Sequence, residues 1–318
     1  MNAIETRVLT RYYDELCAVD HLTLSVNNEI FGLLGPNGSG KTTTVLMLTT
    51  LLRPSSGTAS VCGHDIVRDG DHVRRQLSYV PQDMAVDIKL TGRENVLFFA
   101  HLYGIPRPKD KTDEVLAVME LTDRADDLIR TYSGGMRRRL ELAQALVHEP
   151  AVLFLDEPTI GLDVAARKKI WEHIRGLRKN GMTIFVTTHY MDEADQYCDR
   201  VGIISKGQVV ALGRPSDLKS GLMTDVITAR VSGLTGIPSI EGVSCIGQAE
   251  DEISFTAGNG KEALPLIAQA LTATGAKVRT LSLREPTLDD VFLHAVGNQD
   301  EPRDFNDHQF RTMLRRRK

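Results

Sequence analysis

The stretch Gly35–Thr44 reads "GPNGSGKTTT" and matches in full the pattern of a glycine, four residues, a second glycine, a lysine and a serine or threonine. It follows the apolar run Ile30–Leu34, which is predicted to be a buried strand, and it precedes a helical pattern, "TTVLMLTTLL". Glycines allow backbone N–H groups in such a loop to point at phosphate oxygens, and the start of the helix adds a favourable dipole. The stretch therefore predicts a strand, a phosphate-binding loop and a helix, in that order.

Two residues of this loop have separate predicted tasks. The Lys41 ammonium can reach the β- and γ-phosphates of a nucleotide, and the Thr42 hydroxyl can bind Mg²⁺. A glycine-rich turn with an exposed lysine is the structural alternative, and the surrounding strand and helix favour the phosphate site. The predicted nucleotide-binding residues of the loop are Gly35, Pro36, Asn37, Gly38, Ser39, Gly40, Lys41, Thr42 and Thr43.

A pair of carboxylates follows a second apolar run. The segment "AVLFLDEPT" places Asp156 and Glu157 at the end of a predicted buried strand, where a doubly wound sheet binds its ligands. Asp156 is predicted to hold Mg²⁺, directly or through water, and Glu157 to polarise the water that attacks the γ-phosphate. Two solvated acids at a strand end are the structural alternative, and the phosphate loop in the same chain favours the catalytic interpretation.

A second candidate anion site lies in "TYSGGMRRRLELA", residues 131–143. Ser133 can cap a helix that begins near Gly134, and its hydroxyl, the N–H groups of Gly134 and Gly135 and the helix dipole could together bind an anion. An ordinary capped helix is the alternative. The arginines at 137–139 are predicted to form a solvated or interface face of this helix. They do not predict a nucleic-acid site, because no aromatic residues are interleaved with them.

Composition is that of a globular protein with an apolar core. The chain has 318 residues, of which 42% are hydrophobic and 25% charged, and its net charge is −4, so no nucleic-acid partner is expected. Its 4 cysteines are scattered and form no CxxC pair, which argues against a disulfide framework and a cysteine metal site. No apolar run approaches the ~20 residues that span a bilayer, so any membrane role is expected to come through a partner.

The order of predicted elements indicates an α/β fold. Continuous apolar runs alternate with helical patterns, which is typical of strands buried on both faces of a parallel sheet. The composition shifts near Gly213–Asp225, and strand-like segments with one helix follow. We expect a nucleotide-binding domain over 1–220, a small α+β domain over 221–298 and a charged, flexible tail over 299–318.

Five motifs together resemble one family. In order they are "GPNGSGKT", "VPQ", "YSGGM", "VLFLDEPTIGLD" and "TTH", and they resemble the ATP-binding subunit of ABC transporters over residues 1 to about 218. The resemblance implies a P-loop ATPase core with a helical subdomain, ATP and Mg²⁺ as cofactors, and a head-to-tail homodimer. Ser133, Gly134 and Gly135 would then face the γ-phosphate bound by the other subunit, which explains two phosphate sites in one chain.

The resemblance also assigns roles to single residues. Gln82 of "VPQ" would sense both Mg²⁺ and the attacking water, and His189 of "TTH" would hydrogen-bond the γ-phosphate. Asp163 of "GLD" would lie at the dimer seam beside the nucleotide. Tyr13 would stack on adenine, with the adjacent Tyr12 as its competitor. These assignments make Glu157, His189 and Gln82 the candidate catalytic residues, and Thr42, Gln82 and Asp156 the candidate metal ligands.

Further segments resemble one subgroup. "SGGMRRRLELAQALVHEP" and "LTGRENVLFFAHLYGIP" are similar to the ATPases of type-2 exporters, and "LREPTLDDVFLHAVG" resembles the C-terminal signature of the daunorubicin-resistance subgroup. This implies a peripheral protein at the cytoplasmic face of the cell membrane, held there by a polytopic permease subunit. The transported substrate would be drug-like, a lipid or a polysaccharide. "DMAVDIKLTGRENVLFF", which follows Gln82, would contact the permease.

Two departures and three alternatives accompany this interpretation. The family's usual signature is L-S-G-G-Q, and here Tyr132 and Met136 replace its first and last residues, where partner contacts are expected. A non-transport ABC ATPase of DNA repair would need a long coiled-coil insertion, and a translation-associated one normally has two ATPase cassettes. A P-loop small-molecule kinase would lack Ser133, Gly134 and Gly135.

Overall fold

The computed structural model describes residues 2–222, 225–233, 236–249, 252–284 and 286–297. The predicted tail, 299–318, lies outside these residues. The chain divides into two units, Met1–Pro215 and a second that begins at Ser216. In the described part, no helix has the length and apolar character that crossing a membrane requires.

The first unit contains ten strands and most of the helices. Its strands are β1 (Ile4–Tyr13), β2 (Leu16–Val26), β3 (Ile30–Leu34), β4 (Ser56–Val61), β5 (His64–Asp65), β6 (Leu77–Val80), β7 (Val152–Asp156), β8 (Thr183–Thr188), β9 (Arg200–Ser205) and β10 (Gln208–Gly213). Its helices are α1 (Lys41–Leu48), α2 (Gly70–Gln76), α3 (Gly92–Leu102), α4 (Pro108–Val118), α5 (Gly134–Leu146), α6 (Val164–Lys179) and α7 (Met191–Tyr197), with short 3-10 helices at Thr122–Arg124 and Ile129–Thr131. Helix α8 (Pro215–Ser220) spans the division between the units.

A six-stranded sheet in the order β10-β9-β3-β8-β7-β6 forms the centre of this unit. Strands β3, β7 and β8 are buried along their whole length and pair in parallel. The rings of Phe31 and Phe154 each lie 5.4 Å from the ring of Phe185, so aromatic side chains fill the layer beside the sheet. The predicted α/β fold is confirmed. Parallel pairing brings the carboxyl ends of β3, β7 and β8 to the same edge.

A second sheet and a group of three helices also belong to the first unit. A separate antiparallel sheet has the order β2-β1-β4-β5. Helix α3 begins with a capping box: the Thr91 hydroxyl accepts from the Glu94 amide at 3.2 Å, and the Glu94 carboxylate accepts from the Thr91 amide at 2.8 Å. The ABC resemblance implies a helical subdomain, and helices α3, α4 and α5 follow one another between β6 and β7 in the chain.

The second unit is α+β, as predicted. It contains β11 (Asp225–Ser232), β12 (Val243–Ala249), β13 (Glu252–Ala257), α9 (Gly260–Ala273), β14 (Lys277–Arg284) and α10 (Leu288–Gly297). The four strands form an antiparallel sheet in the order β12-β13-β11-β14. Its core joins the apolar face of the sheet, including Ile227 and Phe255, to Ile267 and Leu271 of α9.

An ion pair joins Arg284, at the end of β14, to Asp290 of α10 in this second unit. The Arg284 guanidinium donates to both carboxylate oxygens of Asp290, at 2.6 and 3.0 Å, and the Thr287 amide donates to the same carboxylate at 2.8 Å. Burial opposes ionisation of Asp290, but its hydrogen bonds to Arg284 and Thr287 prevail and lower its pKa. The subgroup motif therefore has a structural task inside its own unit.

Candidate functional site

The phosphate loop joins β3 to α1 and depends on glycines. Gly38 and Gly40 have φ values of 81° and 107°, which side chains rarely tolerate. A Cβ on Gly40 would also lie 2.4 Å from the carbonyl oxygen of Ala18. Helix α1 begins at Lys41 without a side-chain cap, so amide groups of its first turn are available to a ligand.

Two polar side chains complete a set of donors that fits phosphate. The Ser39 hydroxyl is buried and has no hydrogen-bond partner in the described part of the chain. The Lys41 ammonium donates to the carbonyl oxygens of Gly35 at 2.8 Å and Pro36 at 3.1 Å. Burial lowers the pKa of Lys41, and the nearby carboxylates of Glu157 and Asp156 oppose that shift. An unpaired hydroxyl, uncapped amides and an ammonium can together bind the phosphates of ATP.

The carboxylate pair lies at the end of β7, as predicted. Asp156 is its last residue, and Glu157 follows; both are buried. Glu157 Oε1 lies 3.6 Å from Lys41 Nζ, and Glu157 Oε2 lies 2.9 Å from His189 Nδ1. Burial would raise the pKa of Glu157, but the hydrogen bond with His189 and the charge of Lys41 outweigh it, so the pKa is lowered. Glu157 is therefore ionised at neutral pH and can accept a proton.

The candidate Mg²⁺ ligands include one buried carboxylate. Asp156 Oδ1 accepts a hydrogen bond from the Thr187 hydroxyl. The Tyr79 hydroxyl is also near Asp156: its own burial and the charge of Asp156 raise the pKa of Tyr79 to about 12. Thr42 and Gln82 are exposed, at the start of α1 and in the loop after β6. A hydroxyl, an amide oxygen and a carboxylate suit Mg²⁺, which usually retains waters and binds substrate phosphates. No cluster of three or more histidine, cysteine or acidic residues in the described ranges could hold a metal.

The signature segment has a different environment from the phosphate loop. Ser133 caps α5, because its hydroxyl accepts from the Met136 amide at 3.3 Å, and both Ser133 and Gly134 are exposed. A Cβ on Gly135 would lie 2.9 Å from the Cβ of Ala166 in α6, so this glycine permits close packing of the two helices. Among the described residues, no hydrogen bond or ion pair joins residues 133–135 to residues 35–43.

Two other predicted site residues lie on exposed segments. Asp163 caps α6, and its Oδ1 accepts from the Ala166 amide at 2.8 Å. Tyr13 ends β1 with 40% of its surface exposed, and the Arg11 guanidinium lies 4.9 Å from its ring centroid. Tyr12 is 46% exposed, so exposure alone does not choose between the two tyrosines.

The prediction of a solvated arginine face on α5 is wrong for Arg138, which is only 3% exposed. Its guanidinium reaches four oxygen acceptors, which compensate the burial of its charge. Arg139 is half-buried and donates to the carbonyl oxygens of Met119 and Glu120. The spacing of Arg138 and Glu141 could have suggested an ion pair, but nothing local to the sequence indicates that this pair is buried.

The edge of the signature also differs from expectation. Tyr132 was expected near partner contacts, but it is 4% exposed, and its hydroxyl donates to the Arg124 carbonyl at 2.6 Å. A Cβ on Gly92 would lie 2.4 Å from that hydroxyl. The tyrosine is therefore accommodated inside the chain, beneath the first residue of α3.

Comparisons with known proteins show the family to which this chain is similar. A family model described as ABC transporter matches residues 19–160, and one described as the C-terminal domain of DrrA1-3-like ATP-binding proteins matches residues 213–296. The daunorubicin/doxorubicin resistance ATP-binding protein DrrA of Streptomyces peucetius is 41% identical over 95% of this chain and 94% of its own length. The linearmycin resistance ATP-binding protein LnrL of Bacillus subtilis (strain 168) is 35% identical over 92% and 98%.

A solved structure extends the likeness to the fold. The structure of cbiO1 from Clostridium perfringens, described as part of the ABC transporter complex cbiONQ, has a TM-score of 0.65 and 28% identity to this chain. The match covers 69% of this chain and 91% of that one.

Proposed function

This chain belongs to the ABC transporter family of ATP-binding, ATP-hydrolysing proteins, and we propose that two copies of it close head to tail around two MgATP and drive export through a separate membrane subunit. The observation that carries the head-to-tail arrangement is the contrast between the two phosphate-binding segments. Lys41, Glu157 and His189 converge beside the phosphate loop. Ser133 and Gly134 are exposed, with no bond to that loop among the described residues. A second copy can supply the signature that each nucleotide needs.

Each residue near the phosphate loop has a proposed chemical role. Lys41 would exchange the carbonyl oxygens of Gly35 and Pro36 for phosphate oxygens, and the uncapped amides of α1 would bind the same phosphates. Glu157 would accept a proton from the attacking water, and His189 would hold the γ-phosphate while staying beside Glu157.

The remaining assignments concern Mg²⁺, the adenine ring and the seam between the two copies. Asp156, Thr42 and Gln82 would hold Mg²⁺, which when bound neutralises charge on the phosphates. Tyr13 would stack on adenine, and Asp163 would lie at the seam, where its carboxylate already orders the start of α6.

An exposed apolar surface follows Gln82 and would receive the permease. It consists of Met84, Ile88, Phe98, Leu102 and Tyr103, each at least 45% exposed, and it overlaps the segment that the sequence predicts for this contact. Scattered exposed apolar residues are normal, but a group near one loop and one helix suits a partner. Such a partner would hold the chain peripherally at the cytoplasmic face of the membrane.

The names of the relatives support the proposed cargo class. They are named for resistance to daunorubicin, doxorubicin and linearmycin, which favours an exporter of drug-like, lipid or polysaccharide substrates over a DNA-repair or translation-associated ATPase.

The membrane assignment can be tested by co-purification. The full-length tagged chain, isolated from detergent-solubilised membranes, should retain a polytopic membrane protein. Phe98→Asp should lose that partner. Phe98 is exposed, and replacing it with aspartate would bury a charge in an apolar interface. Leu51→Asp, at an exposed residue that follows α1, is the matched control and should retain it. Retention of the partner by both variants would exclude this surface as the docking site, and a wild-type chain without any membrane partner would exclude the exporter assignment.

A further inference from the structure

Helix α5 carries a buried ion pair one turn after the signature. Arg138 Nη1 donates to Glu141 Oε2 at 2.9 Å, and each side chain is only 3% exposed. Buried charges are costly unless their remaining hydrogen-bonding groups are also satisfied. The pair satisfies them with backbone groups from two distant parts of the chain, and those groups lie beside the candidate catalytic residues.

One set of contacts holds the backbone on both sides of Gln82. Arg138 Nη1 donates to the Pro81 carbonyl oxygen at 2.7 Å. On the other side, the Ala85 amide donates to Glu141 Oε1 at 2.6 Å. The Gln82 side chain itself stays exposed. The ion pair therefore fixes the ends of the short segment that carries Gln82 and leaves its amide free to move.

A second set of contacts holds the backbone on both sides of Glu157. Arg138 Nη2 donates to the Asp156 carbonyl at 3.1 Å, and Nε donates to the Pro158 carbonyl at 3.0 Å. Glu157 has a φ of 48°, in the left-handed region that residues with side chains adopt at an energetic cost. Its amide donates to the Thr187 carbonyl at 3.0 Å, so the unusual conformation is held from three directions.

We propose that Arg138, with Glu141, is a positioning residue for ATP hydrolysis that fixes Gln82 and Glu157 relative to each other and to the signature helix. This inference rests on the proposed roles of Gln82 and Glu157. Both would act on the same attacking water, so their separation must be set within a fraction of an ångström for efficient turnover. A single guanidinium that binds carbonyls next to both residues sets that separation directly. Because Arg138 is part of α5, a shift of this helix would change the positions of both Gln82 and Glu157.

The geometry requires arginine in particular. A guanidinium offers five N–H donors in a rigid plane, and Arg138 uses them on four oxygens from three segments. A lysine would keep the positive charge beside Glu141, but its compact ammonium has three donors at one point and cannot span the same acceptors. Arg138→Lys therefore separates loss of positioning from loss of charge.

The test measures hydrolysis, nucleotide affinity and local backbone protection in the full-length chain. Arg138→Lys should lower kcat about 10- to 100-fold, the range expected when catalytic groups are misplaced by roughly 1 Å. ATP affinity should change less than about threefold, because the phosphate loop keeps its contacts. Hydrogen exchange of a peptide containing Ala85 should become faster, whereas exchange within α1 should not change.

Two further variants keep the outcome interpretable. Glu141→Gln cannot accept from both Arg138 and Ala85 as the carboxylate does, so it should speed exchange at Ala85 and lower kcat less than Arg138→Lys. Arg200→Lys is the structural control. Arg200 forms an ion pair with Glu29, with a distance of 2.8 Å between Nη1 and Oε1, and neither residue belongs to the segments that carry Gln82 and Glu157. This variant should change stability but leave kcat intact.

The outcomes separate this inference from the proposed function. A folded Arg138→Lys chain with kcat within about twofold of wild type, or with unchanged exchange at Ala85, would overturn the positioning role. If Arg200→Lys lowers kcat by the same factor as Arg138→Lys, the loss reflects general destabilisation and the positioning role is overturned. The proposed catalytic roles fail separately, if Glu157→Gln hydrolyses ATP as fast as wild type.

Discussion

Helices α1 and α5 both have glycines at or beside their first residue, and they have different environments. The start of each helix could bind an anion. At α1 no side chain caps the helix, and Glu157 of the same chain lies 3.6 Å from Lys41 and 2.9 Å from His189. At α5 the hydroxyl of Ser133 already caps the helix, and Ser133 and Gly134 are exposed.

The difference shows which part of a nucleotide site a single chain can supply. The start of α1 has an ammonium, uncapped amides and a base, so it is equipped for binding and for chemistry. The start of α5 offers a hydroxyl and a dipole, no candidate catalytic side chain of the described residues bonds to it, and Gly135 serves close packing against α6. In the proposed head-to-tail dimer, the motif that looks redundant in the sequence would complete the partner's site.

The largest expected effect is at the catalytic side of this contrast. Glu157→Gln should lower kcat about 10²- to 10⁴-fold, because an amide cannot accept the proton of the attacking water. ATP affinity should stay within about threefold, since the loop donors are unchanged. Steady-state phosphate release and binding of a fluorescent nucleotide analogue measure the two quantities.

Glu29→Gln is the matched control for that substitution. Glu29 is another buried carboxylate, but it pairs with Arg200 and has no candidate role in hydrolysis. Its replacement should leave kcat near the wild-type value. Rapid turnover by Glu157→Gln would place the base elsewhere and remove the chemical half of the comparison.

The next effect tests whether the two helix starts act in different chains. Ser133→Arg should lower activity about 10²-fold, because it replaces an anion donor with a bulky side chain at the proposed seam. Mixed in equal amounts with Glu157→Gln, it should recover about a quarter of wild-type activity, since about half of the dimers would be mixed and each would hold one complete site. Two inactive variants that stay inactive after mixing would indicate that each chain uses its own signature.

Local features of the site could be predicted from the sequence, and features that depend on distant partners could not. The phosphate loop, the capping box at Thr91 and the cap at Ser133 follow from short patterns and their neighbours. The burial of Arg138 depends on acceptors at Pro81 and Asp156, far away along the chain, while its neighbouring arginines suggest a solvated face. The left-handed conformation of Glu157 is likewise set by contacts that no local pattern encodes.

The smallest expected effect concerns the residue before the signature serine. Tyr132→Phe removes the hydrogen bond to the Arg124 carbonyl and should lower the free energy of unfolding by about 0.5–1.5 kcal/mol. Because Tyr132 is buried within its own chain, ATP hydrolysis by the folded variant should stay within about twofold of wild type. Chemical denaturation and steady-state turnover measure the two effects.

A double-mutant cycle with Gly92 locates the effect of Tyr132 more sharply. Gly92→Ala alone should destabilise by about 1–3 kcal/mol, because its Cβ would lie 2.4 Å from the Tyr132 hydroxyl. In a Tyr132→Leu background that clash is absent, so the same alanine should cost much less, and the coupling between the two positions should be large. Additive effects would mean that the tyrosine and the glycine are not in contact. A loss of hydrolysis with Tyr132→Phe as severe as with Ser133→Arg would instead place the tyrosine at the seam. The partner-facing part of the signature would then begin at Tyr132 instead of Ser133.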